Sequence, residues 1–361
     1  MKKMIFFVLV LCLSVSGCSF KDIDKRFFVV AIGVDKGKKQ KFLVTLKLAI
    51  PAPLGTKSGE NESVMIRQEM NSISEAIRLL KTEVDKELDF GHAKVILFGE
   101  GLAKQDMTEA LDWFVRRRDI QGIAWVSIAS PSAEKIIQIQ PKWERFASNA
   151  LYLSFGQSGV ESSYIITEFL YDFYARYHEK GLSAYLPVIK AREDHYVINQ
   201  ASIFRNKKVK LELSKEETQL LNVTMRSFNK FDLKVKTKQG ELYISVEGVS
   251  NRYTIDTTSS PPTIHFNVEL NGILEEEVHK IGAAEKIKKY EAIAAQEYAK
   301  KLKAFLQKLQ KANVDPYGFG LRYRATHFNN KNEWAEWEKI YPRAQFKVDV
   351  KVKIAATGLV E

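Results

Sequence analysis

The chain opens with an apolar run too short to cross a membrane and ends that run at a cysteine. Together these two features constrain everything downstream. Lys2-Lys3, then Met4 to Val15, then Ser16-Gly17-Cys18 give the positive segment, short apolar core and small residues of a secretory signal. A membrane-spanning helix needs roughly 20 apolar residues, and Met4 to Val15 falls well short of that. The chain holds only two cysteines. Cys12 lies inside the apolar run and would leave with it. Beyond Cys18 there is no thiol to form a disulfide, act as a nucleophile or ligate a metal. The exported body must therefore be held together by its own core.

The tetrapeptide Val15-Ser16-Gly17-Cys18 resembles the lipobox of bacterial lipoproteins. That likeness implies that Cys18 is the lipid attachment site and the mature N-terminus. Acyl chains partition into a bilayer at about 0.8 kcal/mol per buried methylene, and two chains hold where one does so only marginally. Residues 1–17 are thus expected to be a signal peptide and 18–26 a lipidated spacer.

A chain of 361 residues with 45% hydrophobic and 27% charged residues is ordinary for globular domains and excludes disorder throughout. Its net charge is +11, of which Lys2 and Lys3 leave with the signal. Such basicity suits an anionic surface. For an exported, tethered protein that surface is lipid before nucleic acid, although solubility alone accounts for it equally well. The densest basic stretch, Asn206-Lys207-Lys208-Val209-Lys210, reads as a solvated hairpin turn.

Hydrophobic periodicity divides the body into three. Residues 27–140 alternate strands with helices, the helices over Asn71 to Val84 and Leu102 to Arg116, and predict an N-terminal α/β domain. Residues 141–195 form a middle domain with an aromatic helix over Ser163 to Tyr177. An apolar strand with Pro187 follows it, marking an edge or a bulge. Residues 196–361 form a C-terminal α/β domain. Its strands at Phe231–Thr237, Leu242–Val246, Arg252–Ile255 and Thr263–Leu270 predict an antiparallel meander. A helix over Glu275–Lys311 carries Ile287, Ala294, Tyr298, Leu302, Phe305 and Leu309 on one face, suited to covering that sheet. Ser214 opens a further helix in a capping box with Glu217. The expected class is α+β, in three mixed domains.

Motifs of chemistry are missing. The six histidines are scattered with no His-Glu-x-x-His run, Gly156 to Gly159 lacks nucleophile-elbow spacing, and no phosphate loop occurs. No catalytic residue, cofactor or metal is expected.

Asp315-Pro316-Tyr317-Gly318-Phe319-Gly320, Trp334-Ala335-Glu336-Trp337, Tyr341-Pro342 and the strand Phe346 to Ile354 together resemble the close of the Ger(x)C spore-germination lipoproteins. Ile32-Gly33-Val34-Asp35-Lys36, Asp89 to Val95, Gly99 to Ala103, and Ala201 to Phe204 agree in order and spacing. Ser19-Phe20, where tryptophan is usual, and Gln200, where glycine is usual, depart from the pattern. The resemblance implies a three-domain lipoprotein on the outer face of the cytoplasmic membrane, which in a spore is the inner membrane. It also implies assembly with the A and B subunits of a nutrient germinant receptor. Tyr317 and Phe319, if exposed, are candidate partner-binding residues, with core packing as the competing role. The alternative function is a lipid-anchored solute-binding protein, which requires a deep cleft between domains.

Overall fold

The computed structural model describes residues 25–49, 63–141, 149–155, 162–226, 230–237, 240–277 and 284–355. The fold is mixed α/β and built on two sheets.

The first sheet contains β1 (Arg26–Lys36), β2 (Phe42–Ala49), β3 (Ser63–Met70), β4 (Glu87–Asp89), β5 (Val95–Gly99), β6 (Trp125–Ser130), β7 (Tyr185–Ala191), β8 (Tyr196–Arg205) and β9 (Lys208–Glu212). They lie in the order β3-β2-β1-β5-β6-β7-β8-β9, with β4 beside the start of β1. β1, β5, β6 and β7 run parallel, flanked by antiparallel pairs on either side. Every residue of β5 is buried, because helices cover both faces of a parallel sheet and such strands read as unbroken apolar runs. One face carries α1 (Ile73–Leu80), α2 (Glu100–Ala103), α3 (Thr108–Arg116) and α6 (Leu170–His178). The other carries α4 (Ala133–Gln138) and α5 (Asn149–Leu153).

This sheet runs across both sequence-drawn divisions, 140/141 and 195/196. β7 extends it from the middle segment, and β8 and β9 extend it from the C-terminal one. Pro187 stands in the interior strand β7 next to a register shift at Val188/Ile189, so the bulge and not the edge accounts for it.

The motif residues near the N-terminus are packing devices. The Asp35 carboxylate accepts hydrogen bonds from the Ala133 and Glu134 amides at 2.8 and 2.9 Å, placing a negative group at the start of α4. A Cβ on Gly33 would stand 2.8 Å from Ala133 Cβ, and one on Gly99 only 1.8 Å from Asp35 Oδ1. The two glycines thus let α4 and β5 close around one buried carboxylate.

Local readings fail where tertiary pairing intervenes. The expected helix over Leu102 to Arg116 is two helices, because Asp106 Oδ1 accepts the Thr108 amide at 2.8 Å and restarts the chain. Asn71 does not cap α1. Ser72 occupies that position, and Asn71 Oδ1 accepts from the Lys41 amide. The aromatic helix begins at Leu170, not Ser163.

The second sheet has the order β10 (Phe231–Thr237), β11 (Gly240–Asp256), β12 (Thr263–Glu277) and β13 (Gln345–Ile354). The expected strands 242–246 and 252–255 are one long β11, with a bulge at Glu247, between Val246 and Gly248. The meander holds through β12, but β13 pairs parallel to β12. A parallel return needs a crossover, here supplied by α8 (Ala284–Lys311), α9 (Phe319–Thr326) and α10 (Glu333–Ile340). α8 covers the sheet, as expected, with Tyr290, Ala294, Tyr298, Leu302, Phe305 and Leu309 buried. Its expected start at Glu275 is incorrect, because Glu276 and Glu277 pair with Tyr243 and Leu242 in the ladder. Strand pairing there overrides the helix preference of a glutamate run. α7 (Lys215–Arg226) carries the capping box as read, with the Glu217 amide donating to Ser214 Oγ and the Ser214 amide to Glu217 Oε2.

Gly99→Ala is expected to destabilise the fold by about 1–3 kcal/mol, the usual cost of overpacking a filled interior. Urea unfolding followed by circular dichroism would register a lower midpoint with an unchanged slope.

Candidate functional site: the seam and cleft between the sheets

α8 ends in a left-handed residue, Asn313, at φ 54°. The Asn313 amide donates to Gln310 O and the Val314 amide to Leu309 O, at 2.8 and 3.0 Å. These are the paired bonds of a Schellman cap, with asparagine in the usual glycine position. The chain leaves this cap pointed at the first sheet.

The next six residues form the seam. The Asp315 carboxylate accepts from the Gly318 amide at 2.9 Å and the Gly320 amide at 2.8 Å, folding Asp315 to Gly320 around itself. The Asp315 amide donates to Ser183 Oγ at 2.8 Å, and the Ser183 amide returns a bond to Asp315 O at 2.7 Å. Leu321 N donates to Gly181 O at 2.8 Å. A Cβ on Gly181 would stand 2.6 Å from the Gly320 carbonyl carbon, and one on Gly320 would stand 2.5 Å from Trp337 Nε1. Gly181 also has φ 87°, a left-handed conformation suited to glycine. At the rim, Arg324 Nη1 donates to Glu179 Oε1 at 2.8 Å and to Lys180 O at 2.7 Å. Arg205 Nη1 donates to the Asn313 carbonyl.

Beside the seam lies a cleft of about 390 Å³. Arg176, Lys180, Phe204, Arg205 and Lys207 line its first-sheet side. Trp334, Trp337, Glu338 and Tyr341 line the other. The β8–β9 turn that carries Arg205 and Lys207 is fixed in place, because the Tyr177 hydroxyl donates to Lys207 O at 2.8 Å while accepting from the Met107 amide at 3.0 Å. Lys180, Arg205 and Lys207 form no ion pair with a carboxylate among the described residues. The turn read as merely solvated thus forms one wall of a cleft. Only the tertiary structure brings it opposite the two tryptophans.

Tyr317 and Phe319, candidates for partner binding only if exposed, take the competing core-packing role. Phe319 is buried at 1% exposure, 4.8 Å from the ring of Tyr253 and 6.0 Å from Phe346. Tyr317 stacks on it at 5.5 Å, and its hydroxyl is 2.6 Å from Thr224 Oγ1. Neither ring forms a free docking surface. Both fill the core beneath the second sheet, because the Asp315 turn directs them inward. Cys18 lies outside the described residues. Gly181 and Ser183, which complete the seam, carry no pattern in the sequence beyond a glycine placed after a helix.

Among the described residues no group of three or more His, Cys, Asp or Glu could hold a metal ion, and no helix is long and apolar enough to cross a membrane.

Two family models match the chain. One, the spore germination protein N-terminal domain, covers residues 19–191, and the other, the spore germination B3/GerAC-like C-terminal model, covers residues 199–358. The chain belongs to the Ger(x)C family of spore germination proteins. This Ger(x)C chain is 22% identical to spore germination protein GerQC of Bacillus cereus over the full length of both chains. It is also 22% identical to spore germination protein B3 of Bacillus subtilis strain 168, over 99% of this chain and 97% of that one. Its fold resembles the crystal structure of the GerBC protein, with a TM-score of 0.59 and 18% identity, covering 90% of this chain and 96% of that one. The two family matches meet between β7 and β8, inside the first sheet, so the C-terminal match supplies β9 and most of β8 to that sheet.

Burial pushes the Asp315 carboxyl up from 3.8 to about 7, against the pull of the backbone amides it accepts from. Burial also pushes Asp35 up to about 6. An acid whose folded pKa is raised holds its proton more tightly in the native state. The resulting stability is full below about pH 4 and is lost as pH rises through the folded value. Thermal unfolding midpoints of the wild-type chain are therefore expected to fall between about pH 4 and 7. Asp315→Asn should abolish the part of that fall between about pH 6 and 7 and make the part between about pH 4 and 6 shallower, leaving there the contribution of Asp35. A pH series of melting curves on both proteins checks this.

Proposed function

We propose that this Ger(x)C chain is the membrane-anchored C subunit of a spore nutrient germinant receptor. In this reading an acylated Cys18 holds it at the outer face of the cytoplasmic membrane, the inner membrane of the spore, and it acts by binding the A and B subunits. The observation that carries the reading is the pair of family matches. They run from residue 19, directly after Cys18, to residue 358, and embrace both sheets and the seam. The seam suits a part that works by contact, because backbone bonds and facing glycines fix the two sheets as one body. Binding energy gained on either sheet is then felt by the whole. Cys18→Ala is expected to move the protein out of the membrane fraction and to slow nutrient germination. Retention of that variant on membranes through an alkaline wash would contradict the anchor.

The cleft favours a second reading, capture of a small solute. A volume of about 390 Å³ falls in the range of small-ligand sites, which gather at junctions between domains. Arg205 and Lys207 facing Trp334 and Trp337 suit a carboxylate on an apolar body. Under this reading a small carboxylic acid raises the melting temperature of the wild-type protein, and Arg205→Gln abolishes the rise. A flat response across a panel of such acids removes the reading.

A further inference from the structure

The end of the first sheet at which β1 begins carries a surface that the family matches leave unexplained. β4 and β5 run parallel to β1, and β6 runs parallel to β5. Arg26 pairs with Glu87, Ala31 with Val95, and Val95 with Trp125. The segments leading into these strands therefore gather at one end. A chain of hydrogen bonds links them. Arg26 bonds Asp89, the Gly91 amide bonds Asp89 Oδ1 at 2.9 Å, Gln121 Nε2 bonds Gly91 O at 3.0 Å, and the Tyr171 amide bonds Gly122 O at 3.0 Å.

An aromatic ladder occupies this end. Trp125 stacks on Phe169 at 4.0 Å, and Phe169 on Tyr171 at 6.1 Å, with the rings within 18° of parallel. Ile123, at the tip of the Gln121-Gly122-Ile123 loop, is 57% exposed, and Tyr171 is 55% exposed. Single exposed apolar residues are ordinary. An isoleucine at a loop tip beside a graded stack of Tyr, Phe and Trp is less so. The segments at this end also carry Lys86, over the Phe27 ring at 5.3 Å, Lys94, bonded to Gln121, and the exposed Arg118, with Glu87 and Asp119 next to Lys86 and Arg118. None of the three pairs with a carboxylate among the described residues. Exposed amphipathic rings on an end that also carries unpaired cations match the headgroup level of an anionic bilayer.

An acylated Cys18 would keep a bilayer within reach of that end. Only residues 19–25 separate Cys18 from the first residue of β1. Fully extended, that stretch reaches at most about 3.6 Å per residue, under about 30 Å in all. We propose that this end, through Ile123, Tyr171, Lys86, Lys94 and Arg118, docks on the lipid surface to which Cys18 tethers the chain. The proposal rests on the reading of Cys18 as acylated. Acyl chains alone would leave the body free to tumble on its tether. A second, surface contact fixes which face of the body is turned toward its neighbours.

The test uses the processed, full-length lipoprotein alone on vesicles of phosphatidylethanolamine and phosphatidylglycerol. With Cys18 acylated, Ile123→Cys is its one free thiol and takes a nitroxide label. Tyr171→Cys is the second reporter. Lys39→Cys, just past the far end of β1, is the control: the registers set Ile123 about level with Val29, seven residues before Lys36, or roughly 23 Å along the strands at about 3.3 Å per residue. The expected result is a several-fold drop in collision with a water-soluble nickel chelate at positions 123 and 171, and none at 39, when the protein joins vesicles. Equal water access at all three positions, with the protein still on the vesicles, overturns the docking and leaves the anchor standing. That is also the outcome if this end receives another protein instead of lipid. Release of the processed protein from the vesicles overturns the anchor, and the docking with it.

Discussion

The close approach of Gly181 to Gly320 is the constraint on which the rest of the molecule depends. Two backbones meet there with no room for a Cβ on either side. Peptide groups can bond across the joint only because both side chains are missing. Asp315 makes that approach possible by gathering the Gly318 and Gly320 amides on a buried carboxylate. The joint thus combines backbone dipoles, one buried acid and the side chains of Ser183, Arg205 and Arg324, beside an apolar core that Tyr185, Ala201 and Ile203 of the first sheet share with the second.

A second, similar device lies inside the first sheet. Asp35 takes two amides at the start of α4, and Gly33 and Gly99 make room for the contact. Both devices place a carboxylate where water is scarce and supply amide donors in its place. Several of the segments that carry the family resemblance therefore have a direct physical reading. Ile32 to Asp35, Gly99 and Asp315 to Gly320 are where chain segments must come closer than ordinary side chains allow. The surfaces proposed above for solute capture and lipid docking lie beside these joints, at the cleft lined by Arg205 and Trp334 and at the aromatic end of the first sheet.

What the sequence revealed tracks how local the governing interaction is. The Ser214 and Glu217 capping box, the apolar run of β5 and the buried face of α8 are set by neighbours within a few turns, and they stand where the periodicity places them. Glu276 and Glu277 read as helix but pair with β11, because their partners at Tyr243 and Leu242 are more than 30 residues away. Tyr317 and Phe319 looked like a possible surface because nothing nearby in the chain shows that Asp315 turns them into the core. Lys207 read as solvated because Trp334, across the cleft, is invisible from its own hairpin.

The sequence alone determined that every cysteine lies within the first 18 residues, so the body beyond must fold on apolar burial and hydrogen bonds. It also marked which segments alternate and which follow a helical period, since both depend on residues only a few positions apart. Only the tertiary structure decided that one sheet runs from β3 to β9 through three stretches of chain, and that β13 returns parallel to β12. Those arrangements, and the meeting of Ile123, Tyr171 and Arg26 at one end, come from pairings between distant segments. Their energy depends on the whole set of strands closing together, and no local pattern records it.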